Sequence, residues 1–110
     1  MNTVVETPEY LATAKAAKMT EEERSWVVQF VSENPEAGVL VRGAGGARKV
    51  RVPREGGGKS GGYRVATYYM DEKTPVFLLS VIDKTEEENW SAAGTKGIKK
   101  AAKDEKKRRK

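Results

Sequence analysis

The chain reads as a small α+β domain, with helices laid on one face of a mainly antiparallel sheet of about four strands. Three observations predict this. Two helix-start signatures, at Thr7 and Thr20, fall in the N-terminal third. From Val39 the apolar spacing switches to short strand-like runs punctuated by glycine and proline. Ser91 then opens a basic helical stretch that runs to the C-terminus. The 110 residues have room for a single modest core, so residues 1–110 form one domain carrying a basic tail over residues 103–110.

In chain order, Thr3 to Glu6 reads as a short strand. Thr7-Pro8-Glu9 combines a capping hydroxyl, proline at the first helical position and an acid in the first turn, so a helix runs on through Tyr10, Leu11, Ala14 and Ala17. Thr20 with Glu23 forms a capping box for a second helix. There Trp26, Val27, Phe30 and Val31 make one apolar stripe, which places Trp26 and Phe30 in the core. Asn34-Pro35 ends that helix. Val39 to Val41 can add a short strand before a glycine turn. Lys49 to Val52 alternates, basic side chains on one face and valines on the other. A loop over residues 53–62 holds five glycines, and Tyr63 to Met70 is the next strand. After the turn Asp71-Glu-Lys-Thr-Pro75 comes the most apolar run, Val76 to Ile82, expected to be a central strand. Gly94 and Gly97 weaken the first turns of the helix that follows Ser91.

Cysteine and histidine are both absent. Disulfide staples, thiolate nucleophiles and the commonest metal ligand are therefore excluded, and no metal or cofactor is expected. Any catalysis rests on carboxylates, Lys, Arg, Tyr or the substrate itself. No apolar run reaches the length of a membrane span and the start lacks a secretory signal, so a soluble cytoplasmic protein without membrane contact is expected. The net charge is +5 and unevenly spread: residues 1–41 carry −4, residues 42–70 carry +6 and residues 71–110 carry +3.

The basic middle is the informative part. Arg42, Arg48, Lys49, Arg51, Arg54, Lys59 and Arg64 face one acid, Glu55, and are interleaved with most of the glycine. Cations on a rigid sheet beside glycines that admit close approach suit a polyanion, with RNA the first candidate. The plain alternative is a solvated strand face and a flexible hairpin connection, since alternation on a half-exposed strand is ordinary. The tail from Lys96 to Lys110, with nine bases and two acids, is equally a frayed solvated end or a grip on ribosomal RNA.

Three groups of residues closely resemble one known family: Asn34-Pro-Glu-Ala-Gly38, Gly45-Gly-Ala-Arg-Lys-Val-Arg51 and Gly56-Gly-Gly-Lys-Ser-Gly-Gly-Tyr-Arg-Val65. With Tyr68-Tyr-Met-Asp71 and the apolar strand ending at Asp83-Lys84, in the same order and spacing, they resemble the HigB branch of the RelE toxin superfamily over residues 3–100. The resemblance implies the toxin of a type II toxin–antitoxin pair, an endoribonuclease that cuts mRNA in the ribosomal A site and inhibits translation. Its implied partners are the ribosome, mRNA and ribosomal RNA, and a cognate antitoxin of HigA type with a helix-turn-helix domain.

RNA carries its own nucleophile, the 2′-hydroxyl, so cleavage needs a proton acceptor, cations on the developing phosphorane and an acid for the leaving 5′ oxygen. The motif match assigns Arg64 to clamp the scissile phosphate and Lys84 to stabilise the phosphorane or protonate the leaving oxygen. Lys49 and Arg51, two apart on one strand, reach the same groove, with Lys49 the candidate base. Arg48, Arg54 and Lys59 are expected on RNA backbone. Tyr63 and Trp90 are the candidates for stacking a base, with packing as the competing role for Trp90. Asp83 is expected to pair with a nearby base and weaken the field at the phosphate. Two other functions stay open: a gyrase-poisoning toxin of ParE type, against which the four cations argue, and a non-catalytic RNA- or ribosome-binding module.

Overall fold

The computed structural model describes residues 2–54, 62–84 and 89–108. Strand β1 (Val4–Glu6) leads into helices α1 (Pro8–Ala16) and α2 (Glu21–Glu33). Strands β2 (Val39–Leu40), β3 (Arg48–Val52), β4 (Tyr63–Tyr68) and β5 (Val76–Asp83) follow, and α3 (Ala92–Arg108) closes the described chain. The sheet has five strands in the order β1-β5-β4-β3-β2, antiparallel except for β1, which runs parallel to β5.

Local chemistry starts each helix where the sequence indicates. Thr7 Oγ1 accepts from Tyr10 N and also donates to Leu78 O at 2.7 Å, tying the α1 cap to the sheet. Thr20 and Glu23 form the reciprocal capping box on α2. Ser91 Oγ accepts from Gly94 N at 3.0 Å at the start of α3. Between α1 and α2 the chain turns at Lys18, whose φ of 61° is the left-handed conformation usually left to glycine.

Two cores lie on opposite faces of the sheet. Tyr10, Ala14, Val27 and Val31 of the helical hairpin pack with Val50, Val52, Tyr63 and Val65. Ile98 and Ala102 of α3 pack with Ala66, Tyr68, Phe77 and Leu79 on the other face. The expectation that all helices share one face is thus corrected, because β4 and β5 supply apolar residues on both sides of the sheet. As expected, β5 is an interior strand, paired with β4 on one side and with β1 over Val76–Leu78 on the other. One further expectation changes. Trp26 is not core: it is 42% exposed and stacks on Phe30 with ring centroids 4.9 Å apart, while Val27 and Val31 carry the buried stripe. Among the described residues no helix is long and apolar enough to cross a membrane.

Candidate active site

Helix α3 covers only part of its sheet face, and what it leaves open is cationic. In β3, Val50 and Val52 enter the helical-hairpin core, so Lys49 and Arg51 point to the other side. Arg64 lies directly across from Arg51, and Ile82 lies across from Arg64 in the same row. A register shift between Ala66 and Thr67 leaves Leu79 as an extra residue in β5. This bulge reverses the alternation of β5. Val76 and Leu78 face the helical hairpin before it, and Val81 does so after it. Ser80 and Ile82 therefore face the α3 side, and so does Lys84, whose N–H donates to Gly62 O at 3.0 Å.

Lys49, Arg51, Arg64 and Lys84 are consequently brought together around one open groove of about 490 Å³. Gly38 and Val39 form one wall and Asn89 another. Arg64 sits at the bottom, only 6% exposed, with Nη1 donating to Tyr63 O at 3.3 Å. Lys49 Nζ donates to Asn89 Oδ1 at 2.7 Å. Gly38 is a backbone requirement: its φ is +90° and a Cβ there would lie 2.3 Å from Lys49 O. The groove offers ammonium and guanidinium donors from three adjacent strands and a hydrogen-bonded lysine, a constellation suited to a phosphodiester with charge building on its oxygens.

The remaining expected contacts fall elsewhere. Tyr63 is 1% exposed on the helical-hairpin face, where its hydroxyl donates to Glu23 Oε1 at 2.9 Å, so it is no stacking platform. Burial first, and then the bond to the Glu23 carboxylate, push that hydroxyl up to about 12. Arg54 lies over the Tyr63 ring, 4.5 Å from its centroid, and pairs with Asp83 at 2.6 Å. That hydrogen bond raises the Arg54 pKa further. Arg54 is therefore a staple on the face away from the groove, and Asp83 spends its charge there instead of at the groove. Arg48 alternates with Lys49 and donates to Gly38 O at 3.3 Å. Trp90 is half-buried against the α3 core and its Nε1 donates to Ser80 Oγ at 3.0 Å, the packing role. Lys59 lies outside the described residues.

Sequence reasoning missed Asn89 and the deeper role of Glu23. Glu23 is 5% exposed and joins the α2 cap to Tyr63, and only its spacing of four from Val27 and eight from Val31 hinted at an inward position. For Asn89 no local pattern offered a signal.

Comparison with known proteins agrees with this architecture. A solved structure of the E. coli toxin RelE, a double arginine-to-alanine mutant in the free state, superposes with a TM-score of 0.54 at 23% identity, covering 79% of this chain and 87% of that one. At that identity the likeness concerns the fold. The family described as the RelE toxin of the RelE/RelB toxin-antitoxin system matches residues 7–110, nearly the whole chain. The sheet, its cationic groove and this match lead to one conclusion: the chain belongs to the RelE toxin family.

Proposed function

We propose that this protein is a ribosome-dependent endoribonuclease of the HigB type, which cuts mRNA in the ribosomal A site through attack of the substrate's own 2′-hydroxyl. The observation that carries it is the gathering of Lys49, Arg51, Arg64 and Lys84 around one groove. Arg51 and Arg64 stand directly opposite on neighbouring strands and both line the groove, so two guanidinium groups converge where a phosphodiester would lie.

In this reading Arg64, fixed at the base of the groove, holds the non-bridging oxygens of the scissile phosphate. Arg51 and Lys84 add to the charge that stabilises the phosphorane, and Lys84 protonates the departing 5′ oxygen. Lys49 takes the 2′ proton. The products are a 2′,3′-cyclic phosphate and a free 5′-hydroxyl, and the nucleophile comes from RNA itself, so the sequence of bonds needs no added cofactor. The cognate partner is a HigA-type antitoxin, and the site of action is the cytoplasm, where ribosomes and mRNA meet.

The test is cleavage of a defined mRNA by purified protein with and without programmed ribosomes. Cuts that require ribosomes, vanish with Arg64→Ala and vanish when the 2′-hydroxyl at the cut position is methylated support the proposal. Lys49→Arg separates charge from proton transfer, because guanidinium keeps the charge and does not accept a proton. Ribosome binding without cuts by the wild-type protein overturns the nuclease reading in favour of a binding module.

A further inference from the structure

The solvent face of α3 carries a second run of cations, separate from the groove. Lys96, Lys99, Lys100, Lys103, Lys106 and Lys107 are all exposed, while Ile98 and Ala102 are buried against the sheet. At about 100° per residue, the six lysines fall in an arc of roughly 120°, whose middle lies about 120° round the helix from Ile98 and Ala102, and extend for about 16 Å along the axis. Lys96 with Lys100, Lys99 with Lys103 and Lys103 with Lys107 are like-charge pairs at a spacing of four, which weaken an isolated helix. A face built only for solubility interleaves acids at those positions, and this arc holds none. Asp104 and Glu105 lie off it, and Glu105 pairs with Arg108 at 3.3 Å. The ion pairs Arg24–Glu6, Arg54–Asp83 and Arg108–Glu105 include none of the six lysines, and Asp104, four residues from Lys100 and three from Lys107, is the one acid at helical spacing from two of them.

Placement connects this stripe to the groove. Both lie on the same side of the sheet, and the groove residue Asn89 stands just before the first turn of α3. The glycine turn fits closely under the helix, where a Cβ on Gly45 would sit 3.2 Å from Lys99 Cγ. The chemistry of the stripe narrows its ligand. It presents ammonium groups and neither an aromatic ring nor an arginine fork on the arc. Single-stranded RNA is gripped by stacking its bases, whereas evenly spread point charges suit the phosphate rows of a duplex.

We propose that the lysine face of α3 docks on the phosphate backbone of duplex ribosomal RNA while the groove holds the mRNA. This rests on the ribosome-dependent reading above, yet it can fail independently of it. The experiment compares wild type, an α3 variant (Lys96→Gln, Lys100→Gln, Lys103→Gln and Lys107→Gln together) and the same four positions changed to Arg. Each is titrated against vacant ribosomes, a short RNA duplex and a single strand of equal length, over a range of KCl. Glutamine and arginine both favour helix, so the helical scaffold is kept. The glutamine variant is expected to lose tenfold or more in affinity for vacant ribosomes and for the duplex, with a salt slope shallower by about 3 to 4. The arginine variant should bind both as wild type does. Equal binding by wild type and glutamine variant overturns the proposal even if mRNA cleavage is intact. Loss confined to the single strand overturns it too, assigning the stripe to mRNA, as does equal loss in the glutamine and arginine variants. Duplex binding lost only in the glutamine variant upholds the docking face even where no cleavage is found.

Discussion

Tyr63 and Arg64 are neighbours in sequence with opposite fates, one sealed under the helical hairpin and the other at the base of the groove. The Tyr63 hydroxyl, held up to about 12, has a consequence for stability. The unfolded chain releases this proton near pH 10, so between about pH 10 and 12 the native state retains a proton that the unfolded state has lost. The contribution is full below that window and is lost across it. Tyr63→Phe should therefore lower stability at neutral pH by about 1 kcal/mol, through the lost bond to Glu23, and flatten the alkaline fall. Urea unfolding at pH 8 and at pH 11 checks this; an unchanged alkaline slope would assign the fall to Tyr10 and Tyr68, which burial also raises. On the groove side, Asn89 accepts from Lys49 Nζ. Asn89→Ala should reduce cleavage about tenfold by releasing that amine, with ribosome affinity and melting temperature unchanged. A melting temperature that falls with activity would make Asn89 a structural contact instead. Lys49 and Arg51 were legible in the sequence because strand alternation alone puts them on one face. Asn89 and Glu23 were not, because each finds its partner 40 residues away along the chain.

At the scale of elements, the bulge in β5 decides which charge reaches the groove. Uninterrupted alternation from Phe77 and Leu79 would have put Asp83 on the α3 side and Lys84 under the helical hairpin. With Leu79 extra, Lys84 faces the groove and Asp83 meets Arg54 behind the sheet. An apolar run such as Val76 to Ile82 carries no alternation to read, so neither the bulge nor the two-sided core was visible in the sequence, whereas the capped starts of α1 and α2 were. The same limit explains Trp26, since spacing places it beside the stripe and packing volume leaves it at the flank. Glycine gives a sharper test at this scale. Gly38→Ala adds a Cβ 2.3 Å from Lys49 O and 2.9 Å from Lys49 C, both backbone atoms, at a φ of +90°. It should reduce stability by roughly 2–4 kcal/mol and disturb Lys49. Gly43→Ala is the control: its φ is +74° but nothing lies within 4 Å, so only about 1 kcal/mol of backbone strain is expected. Equal losses in chemical denaturation of the two variants would show that the close approach at Gly38 is not what fixes the wall.

Across the whole molecule, charge is divided by region, −4 over residues 1–41 against +6 over residues 42–70 and +3 over residues 71–110. The division puts repulsion at one place on purpose-built strands. Arg51 and Arg64 face each other across β3 and β4, and Lys49 and Lys84 share their groove. A protein selected for stability alone gains by neutralising one of them, and a site that binds a phosphodiester loses by it. Arg51 is exposed on its strand, so Arg51→Thr removes charge from a position where threonine suits the backbone. Stability should rise by about 0.5–1 kcal/mol, most at low salt where screening is weakest, while ribosome-dependent cleavage falls by about 100-fold. Denaturation at about 10 mM and about 200 mM salt, beside the cleavage assay, reads both effects. Opposite signs for stability and activity mark the cation cluster as maintained for its ligand. A variant that loses stability and keeps its cleavage would return Arg51 to the ordinary solvated face of a strand.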